Sequence, residues 1–186
     1  IDESGKVYEQ GSNVVADVFL DKSLMENAYF KDKIPQYWED IKNGKRVLRR
    51  WKTIKHIVRD VMKQHSIDTV VAHNARFDYL STATTQRYLT SSKWRFFFPY
   101  GTRFGDTLKM AREVFKNYED YIKFCEENNY LTAYKKPRYT AEILYRYMTN
   151  DITFVESHTG LEDTDIERQI FVECLRRNPN VDGLLW

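Results

Sequence analysis

The sequence predicts an α/β fold with mixed strand directions, and three observations carry that prediction. "DTVVAHN", residues 68–74, is a short apolar run that feeds straight into a segment with helical character. "IDESGKVYEQGSNVVADVFLD", residues 1–21, alternates and holds two turn signals, ESGK and GSN, so it reads as β structure. From residue 47 onward, strand-like and helix-like stretches alternate, as they do when helices cover a sheet.

The elements follow in order. After the N-terminal β structure comes an irregular aromatic stretch, "AYFKDKIPQYWEDIKNGK", interrupted by Pro35 and Gly44. Val47, Leu48, Trp51, Ile54, Val58, Val61 and Met62 then recur at helical spacing within a basic segment. The 68–74 strand leads to a helix from about Phe77 to Leu89. "KWRFFFPYGTRFGD" is a further strand and loop, and it opens into "TLKMAREVFKNYEDYIKFCEENN". A shorter helix covers Thr140 to Met148, and a last helix runs from Gly160 to Arg177. The 186 residues show no internal repeat and no low-complexity linker, which fits one domain spanning residues 1–186.

Composition narrows the function. Hydrophobic residues make up 42% of the chain and aromatics 15%, enough apolar surface for a packed core. The net charge of +2 excludes a bulk polycation, so contact with nucleic acid must come from a local basic patch. Cys125 and Cys174 form no CxxC pair and no metal-like spacing, which suits a reduced, cytoplasmic protein. No apolar run is long enough to span a bilayer, so no membrane partner is expected.

Chemistry concentrates in two acidic segments. In "VVAHNARFDYL", residues 70–80, a strand ends at His73-Asn74 and a carboxylate follows at Asp78. A strand-to-helix junction puts these residues at the carboxyl edge of the sheet, where open α/β folds place their sites. An acid in a first helical turn also suits the helix dipole, and that alone would account for Asp78 in isolation. "ESHTGLEDTDIERQI", residues 156–170, is the second segment. His158 sits at the mouth of the last helix and Asp163 lies five residues further, inside it. A hard carboxylate for Mg²⁺ and a titratable base for water is a coherent division of labour there. Glu162, Asp165 and Glu167 read as the solvated acids of a first turn.

Taken together, HNxxFD at His73, Asn74, Phe77 and Asp78, followed by HxxxxD at His158 and Asp163, resembles the DEDDh family of 3′-to-5′ exonucleases, the DnaQ-like group. "GDTLKMAR", ending at Arg112, resembles the family's DTL-x-x-AR stretch, and Gly160 fits the small residue that the family carries after its His. The resemblance runs from about residue 47 onward. It implies a ribonuclease H-like mixed five-stranded sheet flanked by helices, and a metal-dependent enzyme that releases nucleoside monophosphates from single-stranded DNA or RNA 3′ ends. It further implies two Mg²⁺ or Mn²⁺ ions, with Asp78 and Asp163 as metal ligands, His158 as general base and Asn74 touching the 3′-terminal nucleotide. Asp106 stays outside the ligand set, as a residue that orients backbone. The implied partners are a single-stranded 3′ end and a polymerase or other replication protein.

The family's remaining two carboxylates come from a D-x-E on its first, central strand. Asp2 and Glu3 are adjacent, so on an extended strand they point to opposite faces, and they read as hairpin residues. The expectation is therefore that the first strand and its D-x-E precede Ile1. The alternative is a catalytically inactive DnaQ-like module that binds nucleic acid or protein. Two stretches interleave cations with aromatics, "AYKKPRY" at 133–139 and "KWRFFFPYGTRF" at 93–104, and such mixtures suit single strands. Buried strand and solvated loop are the competing readings of the same residues. Lys52, Lys55, Arg59 and Lys63 read as a solvated helix face.

Overall fold

The computed structural model describes residues 1–91 and 96–185. It is a mixed α/β protein whose backbone contacts gather into two compact units. The first comprises Ile1–Glu9, Thr69–Asp78 and Arg103–Trp186; the second comprises Gln10–Asp68 and Tyr79–Thr102.

In the second unit, strand β1 (Asn13–Val15) pairs in parallel with β2 (Val47–Arg49), Val14 opposite Leu48. The N-terminal β hairpin is not formed. Residues 1–12 contain no strand, and β1 passes directly into a single helical turn, α1 (Ala16–Phe19). The reason is local. The Asp2 carboxylate accepts from the main-chain N–H of Ser4 and Lys6 and from the hydroxyls of Ser4 and Tyr8, so the donors a hairpin would need are consumed in a turn.

Helix α2 (Lys22–Glu26) begins under an Asp21 cap that accepts from Ser23 N and Leu24 N. The aromatic stretch is also more regular than expected. A 3₁₀ turn (Lys31–Lys33) leads into α3 (Ile34–Lys42), with Pro35 in the first helical turn, where no N–H is required. Gly44, at φ +73°, supplies the left-handed residue just past that helix.

Helix α4 (Trp51–Gln64) starts four residues later than the apolar spacing suggested, because Val47–Arg49 is spent on β2. Trp51 fixes its start. The Trp51 N–H donates to Asp17 Oδ2 at 2.7 Å, and its indole N–H donates to Gln86 Oε1 at 2.8 Å. Trp51, Ile54 and Phe97 form a small core, with the Trp51 and Phe97 rings 4.5 Å apart. Phe97 is therefore buried without belonging to a strand. Lys93, Trp94 and Arg95 of the same stretch lie outside the described residues.

The first unit is built on β3 (Thr69–Ala72) and β4 (Arg103–Asp106), parallel and in register from Thr69–Arg103 to Ala72–Asp106. The other edge of β4 receives the C-terminal segment in the antiparallel sense: Asp106 N donates to Gly183 O and Leu185 N to Phe104 O, both at 2.8 Å. Mixed strand direction is thus present around β4. A Cβ at Gly183 would come within 2.6 Å of the Met110 side chain, so any larger residue there would have to displace it.

Helix α5 (Ala75–Leu89) leaves β3 through the His73-Asn74 corner. Helices α6 (Thr107–Phe115), α7 (Glu119–Glu127), α8 (Ala141–Thr149) and α9 (Gly160–Arg177) complete the unit. Their core centres on fully buried Phe115, Tyr121, Leu144 and Ile170. It is aromatic-rich: Tyr121 stacks on Tyr139 at 5.5 Å and meets Tyr147 edge-on at 5.0 Å. The Tyr121 hydroxyl donates to Arg138 O, so its burial strands no polar group. Among the described residues, no helix is long and apolar enough to cross a membrane.

Candidate metal centre

The corner after β3 is shaped by two residues. Asn74 adopts a left-handed conformation, φ +65°, and its N–H donates to Asp106 Oδ1 at 2.9 Å. The same oxygen accepts Leu108 N at 2.8 Å, capping α6. Asp106 therefore ties the two strand ends together, as an orienting residue. His73 is structural as well. Its Nδ1 lies 3.0 Å from Thr107 Oγ1, and its Nε2 lies 2.8 Å from Tyr139 O. Because Tyr139 O can only accept, Nε2 carries the proton and Nδ1 accepts from Thr107. Burial holds the imidazole below its usual range, in keeping with a neutral ring.

One turn into α5, Asp78 keeps an exposed surface, while desolvation by the surrounding protein, and then the Asp106 charge, raise its carboxyl above the usual range. Phe77 beside it is 67% exposed.

The other half of the site comes from α9 and the loop ahead of it. His158 is held in the left-handed region, φ +53°, a conformation that costs an ordinary residue roughly 1–2 kcal/mol. Thr159, fully buried, follows as the N-cap residue of α9; its hydroxyl donates to Glu162 Oε2 at 2.7 Å, and Glu162 N donates back to Thr159 O. Glu162 is thereby engaged at the helix start.

Asp163 is different. Its Oδ1 is fully buried and accepts no hydrogen bond among the described residues. A buried carboxylate oxygen without a donor is costly unless a cation or proton meets it.

The structure brings two further acids to this place that the sequence did not single out as site residues. Glu156 lies on the loop with its Oε2 3.9 Å from His158 Nδ1, and Glu156, His158 and Asp163 each offer a ligand atom within 4.8 Å of the others. Burial and the Asp163 charge raise the Glu156 carboxyl. Glu167, one helical turn beyond Asp163, is pushed up to about 7 by burial first and then by the charges of Asp78, Asp163 and Glu156, against the opposing pull of the nearby His73 main chain.

The charges of Asp78, Glu156 and Asp163 thus all reach Glu167, and Glu156 and Asp163 repel each other beside His158. Of the residues expected at the site, Asp163 and His158 come together, with Glu156 beside them; Asp78 lies near enough for its charge to reach Glu167. Asn74 contributes its backbone to the corner, with its side chain exposed. The i, i+4 spacing of Asp163 and Glu167 is the signal that could have placed Glu167 on the same helix face. Nothing in the local pattern marks Glu156, whose position depends on the path of its loop.

The donor set suits hard divalent cations: carboxylate oxygens, one of them orphaned, and an imidazole within reach. No family model, no curated protein and no solved structure matches the chain.

Proposed function

We propose that this chain is a metal-dependent 3′-to-5′ exonuclease with a ribonuclease H-like sheet, acting on single-stranded DNA or RNA. The observation that carries the reading is the buried, unpaired Asp163 Oδ1 inside a group of four carboxylates with His158 beside it.

Asp78 and Asp163 would hold Mg²⁺ or Mn²⁺, with Glu156 and Glu167 supplying the further oxygens. Bound there, two cations would lend the positive charge that favours attack by water and departure of the 3′ oxygen. His158 takes the proton from the attacking water. The water oxygen bonds to phosphorus, the bond from phosphorus to the 3′ oxygen of the penultimate nucleotide breaks, and a nucleoside 5′-monophosphate leaves. The departing 3′ oxygen takes a proton from solvent, so the shortened strand keeps a 3′ hydroxyl, ready for the next cycle. Asn74, on its left-handed corner, and exposed Phe77 would meet the terminal nucleotide, the ring by stacking on a base.

A 5′-labelled oligonucleotide incubated with the protein and Mg²⁺ or Mn²⁺ tests the reading. A ladder shortening by single nucleotides from the 3′ end, abolished by chelator, is the expected result. Binding without cleavage under every cation tried would overturn the enzymatic reading in favour of an inactive module.

A further inference from the structure

The loop of residues 150–159 carries both Glu156 and His158, yet it has little core of its own: Ile152 is 54% and Val155 71% exposed. What fixes it is a pair of side chains on α8. Arg146 Nε donates to Phe154 O at 2.7 Å, its Nη1 donates to the Tyr130 hydroxyl at 2.7 Å, and its Nη2 lies 2.6 Å from Glu142 Oε1. Glu142 Oε2 accepts the Glu156 N–H at 3.1 Å. The Tyr145 and Phe154 rings, 4.5 Å apart, close the same junction. The guanidinium and carboxylate therefore grip the backbone on either side of Val155, and Glu156 emerges from that grip toward His158 and Asp163.

A carboxylate facing other carboxylates does not stay in place through its own interactions, because each like charge drives it away. Glu142 is itself an acid close to Glu156, and its charge raises the Glu156 carboxyl. Arg146 neutralises Glu142 and leaves it free to act as a hydrogen-bond acceptor. A planar fork is needed to serve three acceptors in fixed directions, which an ammonium does poorly.

We infer that Arg146 and Glu142 are positioning residues, which hold the Glu156–His158 edge of the cation site in register with Asp163. The inference rests on the proposed function for the cation, and on hydrogen-bond geometry alone for the grip.

Two measurements on the whole chain test it. Mn²⁺ affinity, read by electron paramagnetic resonance, should weaken about 10–100-fold in Arg146→Ala, the usual consequence of losing an outer-shell support. Arg146→Lys should fall between that variant and wild type. Tyr121→Phe, which removes a core hydrogen bond elsewhere in the unit, is the control for simple destabilisation. Amide hydrogen exchange at Glu156 should rise at least tenfold in Arg146→Ala, with or without cation. Unchanged exchange at Glu156 in Arg146→Ala would overturn the grip. Wild-type Mn²⁺ affinity in Arg146→Ala, or an equal loss of affinity in Tyr121→Phe, would overturn its role at the site. A wild-type protein that binds no Mn²⁺ would refute the cation reading and with it that role, leaving the grip to be judged by exchange.

Discussion

Two glutamates on helix α9, less than two turns apart, meet opposite electrostatic fates. Glu173 is clamped: Arg176 donates to both its oxygens at 2.7 Å and Arg177 donates from Nε at 2.5 Å, and these bonds hold its carboxyl below the usual range. Glu167 faces Asp78, Asp163 and Glu156, and is pushed up to about 7. One end of the helix is neutralised within itself, while the other gathers negative charge with one buried oxygen unmet. A fold gains nothing from such repulsion on its own account, and perturbed acids of this kind concentrate where chemistry is done. The difference separates a carboxylate satisfied within its own helix from carboxylates left to repel one another, the contrast on which the proposed cation site rests.

The largest effect that would sharpen this contrast is catalytic. Asp78→Ala and Asp163→Ala should each lower oligonucleotide cleavage by on the order of 10³-fold or more, since each removes charge stabilisation for the transition state. Both variants should keep the wild-type far-ultraviolet circular dichroism spectrum. Cleavage by either at near wild-type rate would remove it from the site. His158→Ala follows, with a loss on the order of a hundredfold in single-turnover rate, the usual worth of a positioned proton acceptor. Mn²⁺ binding should change far less in this variant than in Asp163→Ala. Equal cleavage rates for His158→Ala and wild type across pH would take His158 out of the mechanism.

How much of this the sequence could show depends on whether the information was local. Helix α9 begins and ends where its pattern predicts, at Gly160 and Arg177, because the turn before it and the change of composition after it are both written in neighbouring residues. His158 and Asp163, which do meet, were readable as a spaced motif. Glu167 was read as a solvated first-turn acid, although its environment is set by Asp78 on α5, far away in sequence, as well as by the loop before α9. Glu156 lies on a loop that Arg146 and Glu142 hold from α8, a tertiary fact. The N-terminal hairpin failed for the converse reason: alternation promised strands, but Asp2 closed a turn with the donors they needed. Pro35 misled in a third way, since the residue that breaks a helix interior is also well suited to a helix start.

The acidic end of α9 also makes a prediction about stability and pH. A carboxyl raised from 4.5 to about 7 contributes stability in full below pH 4.5 and loses it as pH rises through 7. In chelator, the thermal midpoint of wild type should therefore fall relative to Glu167→Gln between pH 5 and pH 8. Screening by solvent leaves on the order of 1–2 kcal/mol, or ~3–8 °C for a chain of this size. Mg²⁺ or Mn²⁺ should restore the wild-type midpoint at pH 8 and do less at pH 5, where protons compete for the same oxygens. His73 works in the other direction, its depressed imidazole costing stability as pH falls below 6.5, and it is common to both proteins in the comparison. A wild-type midpoint that tracks Glu167→Gln across the whole range would show that the acids at this end do not repel as described.

The neutralised end gives the smallest effects, and they divide in an instructive way. Glu173 has one partner nearly buried and one exposed: the Arg177 side chain is 15% exposed, the Arg176 side chain 66%. Arg177 also lies over the rings of Phe115, Tyr118 and Tyr147, at 5.0, 4.5 and 5.8 Å. Glu173→Gln should cost on the order of 1–2 kcal/mol at neutral pH, because it deprives the enclosed guanidinium of its counter-charge. The lowered Glu173 carboxyl contributes stability above pH 4.5 and loses it as pH falls, so the gap between Glu173→Gln and wild type should narrow in acid. Arg176→Ala, by contrast, should leave stability nearly unchanged, since an exposed i, i+3 pair loses most of its attraction to water and salt. Urea unfolding of the two variants at pH 7 decides the point. A larger loss for Arg176→Ala than for Glu173→Gln would mean that the exposed arginine, and not the one enclosed by aromatic rings, holds the basic end of α9.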